Sequence, residues 1–147
     1  LGAAAAVLGA AELSGEGLVA LITDRLGKRR AIFLGLLVNS IAVAVLPLTA
    51  GSVVAALTCL FFFYISFEFF IVSSLPLMTE VLPAARATMM AGFFTSASLG
   101  RFIAAQFSAM LYFNGFWTVI AATLVFNFIG ILCIRGLQLK EETGSTA

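Results

Sequence analysis

The feature that most limits how this chain can fold is a short cationic segment, residues 24–30, between two long apolar stretches. It reads Asp-Arg-Leu-Gly-Lys-Arg-Arg and so holds four cations and one carboxylate in seven residues. Of the 147 residues, 62% are hydrophobic and only 10% are charged, whereas soluble domains carry about 25% charged residues. A short cationic connection between apolar helices is typical of a membrane protein. The sequence therefore predicts an all-α polytopic membrane protein.

Five apolar stretches are long enough to cross a bilayer as helices, since one span needs about 20 residues. We predict transmembrane helices at residues 1–23, 31–50, 52–78, 87–113 and 116–134. Together they form a membrane helical bundle over residues 1–136, and a polar tail follows at 137–147. Pro47 and Gly51 predict the end of the second helix, and Asn114 with Gly115 predicts a tight turn after the fourth.

The cations are distributed unevenly between the two ends of the predicted helices. Five spans alternate in direction, so segments 24–30 and 79–86 and the tail share one face. All seven loop and tail cations fall on that face: Arg25, Lys28, Arg29, Arg30, Arg86, Arg135 and Lys140. By the positive-inside rule this face is cytoplasmic. We expect an integral protein of the bacterial inner (cytoplasmic) membrane.

Four ionisable side chains fall well inside the predicted spans: Glu12, Glu16, Glu68 and Arg101. At the helical rise, Glu12 lies roughly 18 Å along its helix from Asp24. A charge at such depth costs at least about 2.5–3.5 kcal/mol, so it faces protein, water or a partner. Three interpretations stay open. Glu68 or Glu12 exchanges a proton, Arg101 pairs with a glutamate or holds an anionic substrate, or the charges form a satisfied pair with no transport role.

The fourth predicted span carries a small side chain at every fourth position. The residues are Gly92, Ser96, Gly100, Ala104 and Ser108. Small residues let helix backbones approach closely in a membrane. The stripe predicts close helix packing, either against a neighbour in this chain or against a missing partner. Asn39 and Asn127, inside the second and fifth spans, predict hydrogen bonds between helices rather than substrate ligands.

The sequence offers little for catalysis. It contains no histidine, so the commonest general base and the commonest metal ligand are missing. The two cysteines, Cys59 and Cys133, lie far apart in apolar runs and predict packing rather than redox chemistry. No metal-ligand spacing and no glycine-rich phosphate loop is present. We therefore predict no enzyme activity, no metal and no cofactor. Because the basic segment is a membrane loop, we also predict no nucleic-acid binding.

Residues 20–29 resemble the loop signature of the major facilitator superfamily, usually written G-x-L-A-D-R-x-G-R-R. The Asp, the Arg, the Gly and the following basic pair match, whereas Ala20, Ile22 and Thr23 replace the Gly, Leu and Ala before them. In that family the signature follows the second helix and recurs, often degraded, after the eighth. An imperfect match followed by four spans fits the second copy. The chain thus resembles helices eight to twelve, part of the C-terminal six-helix bundle of such a transporter.

The resemblance implies roles for the residues of the motif. Asp24 is expected to hold a helix of the opposite half in one conformation and to release it in the other, with Arg25, Gly27, Lys28 and Arg29 completing the gating motif. Read from the residues alone, the same segment is a cation cluster that only sets orientation, with Gly27 permitting the tight bend.

The resemblance also implies a substrate pocket and partners. The third span matches a cavity-lining helix, which favours Tyr64, Glu68 and Ser73 as pocket residues, while Glu12 and Arg101 are expected to contact the other half. The implied function is that of a secondary active transporter, an efflux-type, proton-coupled permease or antiporter. Its partners are the missing N-terminal half, membrane lipid and an unidentified small molecule, since Leu1 already lies inside a helical pattern. The alternative is a small membrane interaction protein that binds a partner through the small-residue stripe.

Overall fold

The chain folds into helices joined by very short connections. The computed structural model describes residues 2–49 and 51–144, with side chains described for 2–49 and 51–136. Within these residues all regular secondary structure is helical. The α-helices are α1 (Gly2–Leu26), α2 (Lys28–Val45), α3 (Val53–Val81), α4 (Arg86–Phe113) and α5 (Phe116–Gly144), with 3-10 turns at Leu46–Thr49 and Pro83–Ala85. The predicted all-α class is confirmed, and each predicted span coincides with a helix.

Within the described residues, four helices are long and apolar enough to cross a membrane. They are α1, α2 together with its following 3-10 turn, α3, and the part of α5 up to Gly136. At 28 residues α4 is also long enough, but it is too polar to meet the same criterion. The architecture is compatible with an integral membrane protein. The fifth transmembrane helix and the six-helix-bundle architecture stay predictions.

The connection predicted at residues 24–30 is in fact a single residue. Gly27 has a φ of +82°, in the left-handed region that glycine adopts without strain. Its N–H donates to the Thr23 carbonyl at 3.0 Å, and its carbonyl accepts from Ala31 N–H at 3.0 Å. The charged residues before Gly27 therefore end α1, and those after it begin α2. No longer polar loop is needed between α1 and α2, because the single residue Gly27 reverses the direction of the chain.

The other helix ends follow local chemistry. Pro47 lies in the 3-10 turn after α2, and Ser52 caps α3 by accepting from Ala55 N–H at 3.4 Å. Gly115, with φ +109°, completes the predicted tight turn between α4 and α5. Pro76 lies inside α3, and the helix continues past it to Val81.

The bundle is built around the contact between α2 and α3. This is the most extensive helix pair, α1 packs along α3, α5 packs along α2, and α4 makes fewer contacts with α3 and α5. Gly35 brings α2 close to α3, because a Cβ at this position would lie 2.6 Å from Phe70 Cβ. Ile32, Leu36 and Leu77 form a small apolar core beside this contact.

The interior of the bundle contains several polar side chains, while many large apolar side chains are exposed on its outer surface. Asn39 and Ser73 are the largest fully buried side chains among the described residues, whereas Phe113 is 89% exposed and Val53 is 76% exposed. Helices in lipid gain nothing from hiding apolar side chains, and they associate through small residues and hydrogen bonds. The pattern is compatible with helices that face lipid.

The cationic segments meet at one end of the bundle. Lys28, at the start of α2, forms an ion pair with Glu80 near the end of α3. The Arg135 guanidinium of α5 lies 5.5 Å from the centre of the Phe33 ring on α2. The segments predicted to share one face thus lie at the same end of the bundle. The cytoplasmic orientation of that end stays a prediction. The backbone of α5 continues to Gly144, beyond the predicted end at residue 134, while the side chains of the tail, including Lys140, lie outside the described residues.

Candidate functional site

The four charged residues predicted to lie inside the spans are on the side of the bundle formed by α1, α3 and α4. Glu68 lies on α3 directly beside Gly15 of α1, where an added Cβ would stand 2.8 Å from Glu68 Cβ and 3.1 Å from the Ile65 carbonyl oxygen. This contact leaves the Glu68 side chain half-buried. Close approach of α1 to α3 therefore places the central carboxylate at the helix interface.

Three further charges lie within electrostatic range of Glu68. Glu12 and Glu16 are exposed on α1, one turn apart and on either side of Gly15 in sequence, and Arg101 is exposed on α4. All three interact electrostatically with Glu68, the two glutamates as like charges and the arginine as an opposite charge. The four predicted charged residues are thus brought together, and we name Glu12, Glu16, Glu68 and Arg101 the charge cluster.

The other predicted pocket residues on α3 occupy different environments. Ser73 is fully buried, and its Oγ lies 3.1 Å from Thr23 Oγ1 of α1 in a hydrogen bond. This contact ties two helices together and leaves Ser73 no exposed surface for a substrate. Tyr64 is half-buried, with its ring edge-on to Phe63 at a centroid distance of 5.2 Å. Of the three predicted pocket residues, Glu68 alone belongs to the charge cluster.

The cationic motif lies at the end of the bundle, away from the charge cluster. Asp24 and Arg25 are exposed in the last turn of α1, whereas Lys28 and Arg29 are half-buried in the first turn of α2. Together with Leu77, Glu80 and Val81 of α3, residues 24–30 line an open concavity of about 960 Å³. The Lys28–Glu80 ion pair crosses it. The predicted bend at Gly27 is confirmed by its positive φ, and the gating role of Asp24 stays a prediction.

A buried hydrogen-bond network joins α2, α3 and α5. Asn39 Nδ2 donates to Ser66 Oγ at 3.2 Å and to the Phe63 carbonyl at 3.0 Å, while its Oδ1 accepts from Asn127 Nδ2 at 2.9 Å. Asn127 Nδ2 also donates to Ser40 Oγ at 3.1 Å. The predicted helix–helix role of Asn39 and Asn127 is confirmed. Among the described residues, every buried side-chain nitrogen or oxygen has a hydrogen-bond partner.

The small-residue stripe of α4 faces open space. Its five residues, Gly92, Ser96, Gly100, Ala104 and Ser108, are all exposed. A Cβ added to Gly92 or Gly100 would meet no atom within 4 Å. Of the two predicted possibilities, packing within the chain is not what the described residues show. The small residues that do make close contacts are Gly15 and Gly35.

Sequence reasoning missed these close contacts, although a signal for both of them was present. Ala11, Gly15 and Thr23 are buried on α1, at spacings that are multiples of four. The spacing is the same as in the small-residue stripe of α4, but this set contains fewer glycines and is interrupted by the larger Val19. On α2, Ala31, Gly35 and Asn39 are buried at the same spacing of four residues, and the close contact with Phe70 is made at Gly35.

The comparisons with known proteins leave the family open. The chain matches no family model, no curated protein and no solved structure. Within the described residues, no group of three or more His, Cys, Asp or Glu side chains has the geometry of a metal site. The functional argument therefore rests on the charge cluster, the cationic end and the exposed face of α4.

Proposed function

We propose that this chain is part of a secondary active transporter that moves a small solute across a membrane by alternating access, coupled to protons and of the efflux type. The observation that carries the proposal is the charge cluster, which sets Glu68 among Glu12, Glu16 and Arg101 on apolar helices. Charged groups inside a membrane are costly, and where they occur they mark ion and substrate pathways or proton relays. Four charged groups on apolar helices are a costly arrangement for a protein that serves only as a scaffold.

The cluster suits a carboxyl that alternates between two protonation states. Glu12 and Glu16 bring negative charge near Glu68, and Arg101 brings positive charge near it. Movement of α1 or α4 relative to α3 changes the interactions of Glu68 with these charges, because Coulomb interactions depend on distance and on local dielectric. Proton uptake and release at Glu68 are thereby linked to helix movement, which is the requirement for proton-coupled transport.

We infer that a second helical bundle covers the exposed side. The small-residue stripe of α4 and the Arg101 side chain are exposed, and α4 is too polar to meet the criterion for a lone membrane span. A bundle with small residues and a carboxylate on its surface complements this face. Because residues 20–29 resemble the loop signature of the major facilitator superfamily, we propose that this second bundle is the N-terminal half of the transporter. Asp24 then gates the contact between the halves on the cytoplasmic side of a bacterial inner membrane.

The test uses the intact protein reconstituted in vesicles with an imposed proton gradient. A panel of radiolabelled sugars and amino acids and of fluorescent organic cations identifies a substrate that the wild type concentrates. We expect Glu68→Gln to abolish uphill transport of that substrate while exchange across the membrane continues, since the variant cannot release a proton. Glu141→Gln makes the same chemical change in the polar tail and is the matched control.

Two results contradict the transporter proposal. One is wild-type uphill transport by Glu68→Gln, which removes Glu68 from coupling. The other is a wild-type protein that concentrates no member of the panel under a proton gradient. The second result favours the alternative of a membrane interaction protein, for which the exposed stripe on α4 is the supporting observation. In that case Gly100→Leu should abolish co-purification of a partner, whereas Ala105→Leu, at a neighbouring position outside the stripe, should not.

A further inference from the structure

The concavity at the cationic end has features that the transport proposal does not use. It is lined by residues 24–30 of the α1–α2 junction and by Leu77, Glu80 and Val81 of the last turns of α3. Its lining holds four cations and two carboxylates, so it carries an excess of positive charge. It is open, with a volume of about 960 Å³. That volume accommodates a charged group of several heavy atoms together with its surroundings.

The positive charge is concentrated on one side of the concavity. Glu80 is committed to the ion pair with Lys28, whereas Arg25 and Arg30 present exposed side chains. The first turn of α2 adds to this charge, because it has no acidic residue and Gly27 provides no side-chain cap. Helix N-termini carry partial positive charge. The concavity therefore attracts anions through side chains and backbone together.

The lining also identifies the kind of anion. Arginine guanidinium groups match phosphate oxygens in bidentate geometry. Leu26, Leu77 and Val81 line the same concavity, so an apolar portion of the ligand finds contacts beside the charged groups. The concavity opens at the ends of helices that are long and apolar enough to span a membrane, which is the depth of lipid headgroups. Basic pockets between helices at this depth bind phospholipid headgroups.

We propose that this concavity binds the phosphate group of an anionic membrane lipid. Arg25 and Arg30 hold the phosphate, and the Lys28–Glu80 ion pair limits how strongly the site attracts it. The lipid thereby joins the α1–α2 junction to the end of α3. The proposal requires insertion in a membrane but not transport, so a failure of the transport experiments leaves it intact.

Binding is measured on the full chain purified in a non-ionic detergent and titrated with acyl-labelled fluorescent phosphatidylglycerol. We expect saturable binding by the wild type and about fivefold weaker binding by Arg25→Gln or Arg30→Gln, since each cation near an anionic lipid contributes about that factor. Glu80→Gln should bind more tightly, because it releases Lys28. Arg86→Gln removes an exposed cation at the same end, outside the concavity, and should bind like the wild type.

Separate arms identify the source of the phosphate. Inorganic phosphate at equal concentration should not displace the labelled lipid, and displacement would assign the site to a soluble phosphate and overturn the lipid source. Equal binding of phosphatidylcholine, or an equal loss in Arg86→Gln, would overturn the site itself, because either result indicates unspecific attraction. Circular dichroism of each variant shows whether helix content is retained, so that losses and gains in binding are compared among folded proteins.

Discussion

Two helices of similar length, α3 and α4, have opposite surroundings. α3 contacts α1, α2 and α4 and buries Cys59, Ser66, Phe69, Ser73 and Leu77. No residue of α4 within the described structure is buried. Both helices carry small and polar side chains at helical spacing. The spacing of small and polar residues therefore does not tell which helix is enclosed by its own chain.

The comparison also shows what a small residue does in a membrane helix. Gly35 is required where it is, since any side chain there meets Phe70. Gly100 has open space in front of it, although it belongs to the more regular repeat. A stripe of small residues thus permits close packing, but a contact forms only where another helix lies against the stripe. Among the described residues, the stripe of α4 has no such partner.

The largest expected effect is the difference between two glycine-to-alanine substitutions, one at the α2–α3 contact and one on the exposed stripe of α4. Gly35→Ala places a Cβ 2.6 Å from Phe70 Cβ, and we expect it to lower the free energy of unfolding by about 1–3 kcal/mol through overpacking. Gly100→Ala meets no atom within 4 Å and should leave stability unchanged or raise it by up to about 1 kcal/mol, through helix propensity. Unfolding by dodecyl sulfate in mixed micelles measures both. Equal stability of the two variants would contradict the assigned α2–α3 contact.

A smaller effect is expected from the asparagine network. Asn39→Ala removes hydrogen bonds to α3 and α5, and we expect it to cost about 1–2 kcal/mol of unfolding free energy. A double-mutant cycle with Asn127→Ala should give a coupling energy of about 0.6–1.7 kcal/mol, the range found for hydrogen bonds between membrane helices.

The control for the network is Gln106→Ala on the exposed surface of α4. It removes an amide of similar chemistry and should change stability by less than about 0.5 kcal/mol. Two results would remove the distinction between the asparagine network and the exposed surface of α4. One is a coupling energy near zero between Asn39 and Asn127. The other is a cost in unfolding free energy for Gln106→Ala as large as that for Asn39→Ala.

The smallest effect is expected from a single hydroxyl. Thr23→Val keeps the shape of the side chain but removes the hydrogen bond to Ser73, and we expect a cost of about 0.6 kcal/mol. Thr95→Val makes the same change at an exposed position of α4 and should have no measurable effect. The same unfolding titration compares them. A cost for Thr95→Val that matches the cost for Thr23→Val would show that both effects are local to the helix.

Much of the fold was predictable from local sequence. The helices follow from long apolar stretches, and their ends follow from Gly27, Pro47, Gly51 and the Asn114–Gly115 turn, because these residues act on the backbone beside them. The role of Asn39 and Asn127 was also predictable, since a buried amide in an apolar helix requires a partner on another helix.

The candidate site was predictable only in part. Depth along a helix follows from residue number, so Glu12, Glu68 and Arg101 could be placed at similar depth from the sequence. The location of Ser73 could not, because its contact with Thr23 depends on how α1 and α3 are rotated about their axes. The same rotation decides that α1 contacts α3 through Gly15 rather than through Gly9 or Gly17, where an added Cβ would meet nothing within 4 Å.

The sequence by itself determined the helical class, the turns and the gathering of cations at one end, since each of these depends on residues that are neighbours along the chain. Tertiary structure alone decided which helix faces become interfaces. Lipid solvates every apolar face about equally well, so hydrophobic periodicity in such a chain does not point to an interior. Shape and hydrogen bonding make the choice, through Gly15 and Gly35 and through Asn39, and they leave the most regular small-residue face of the chain, on α4, without a neighbour among the described residues.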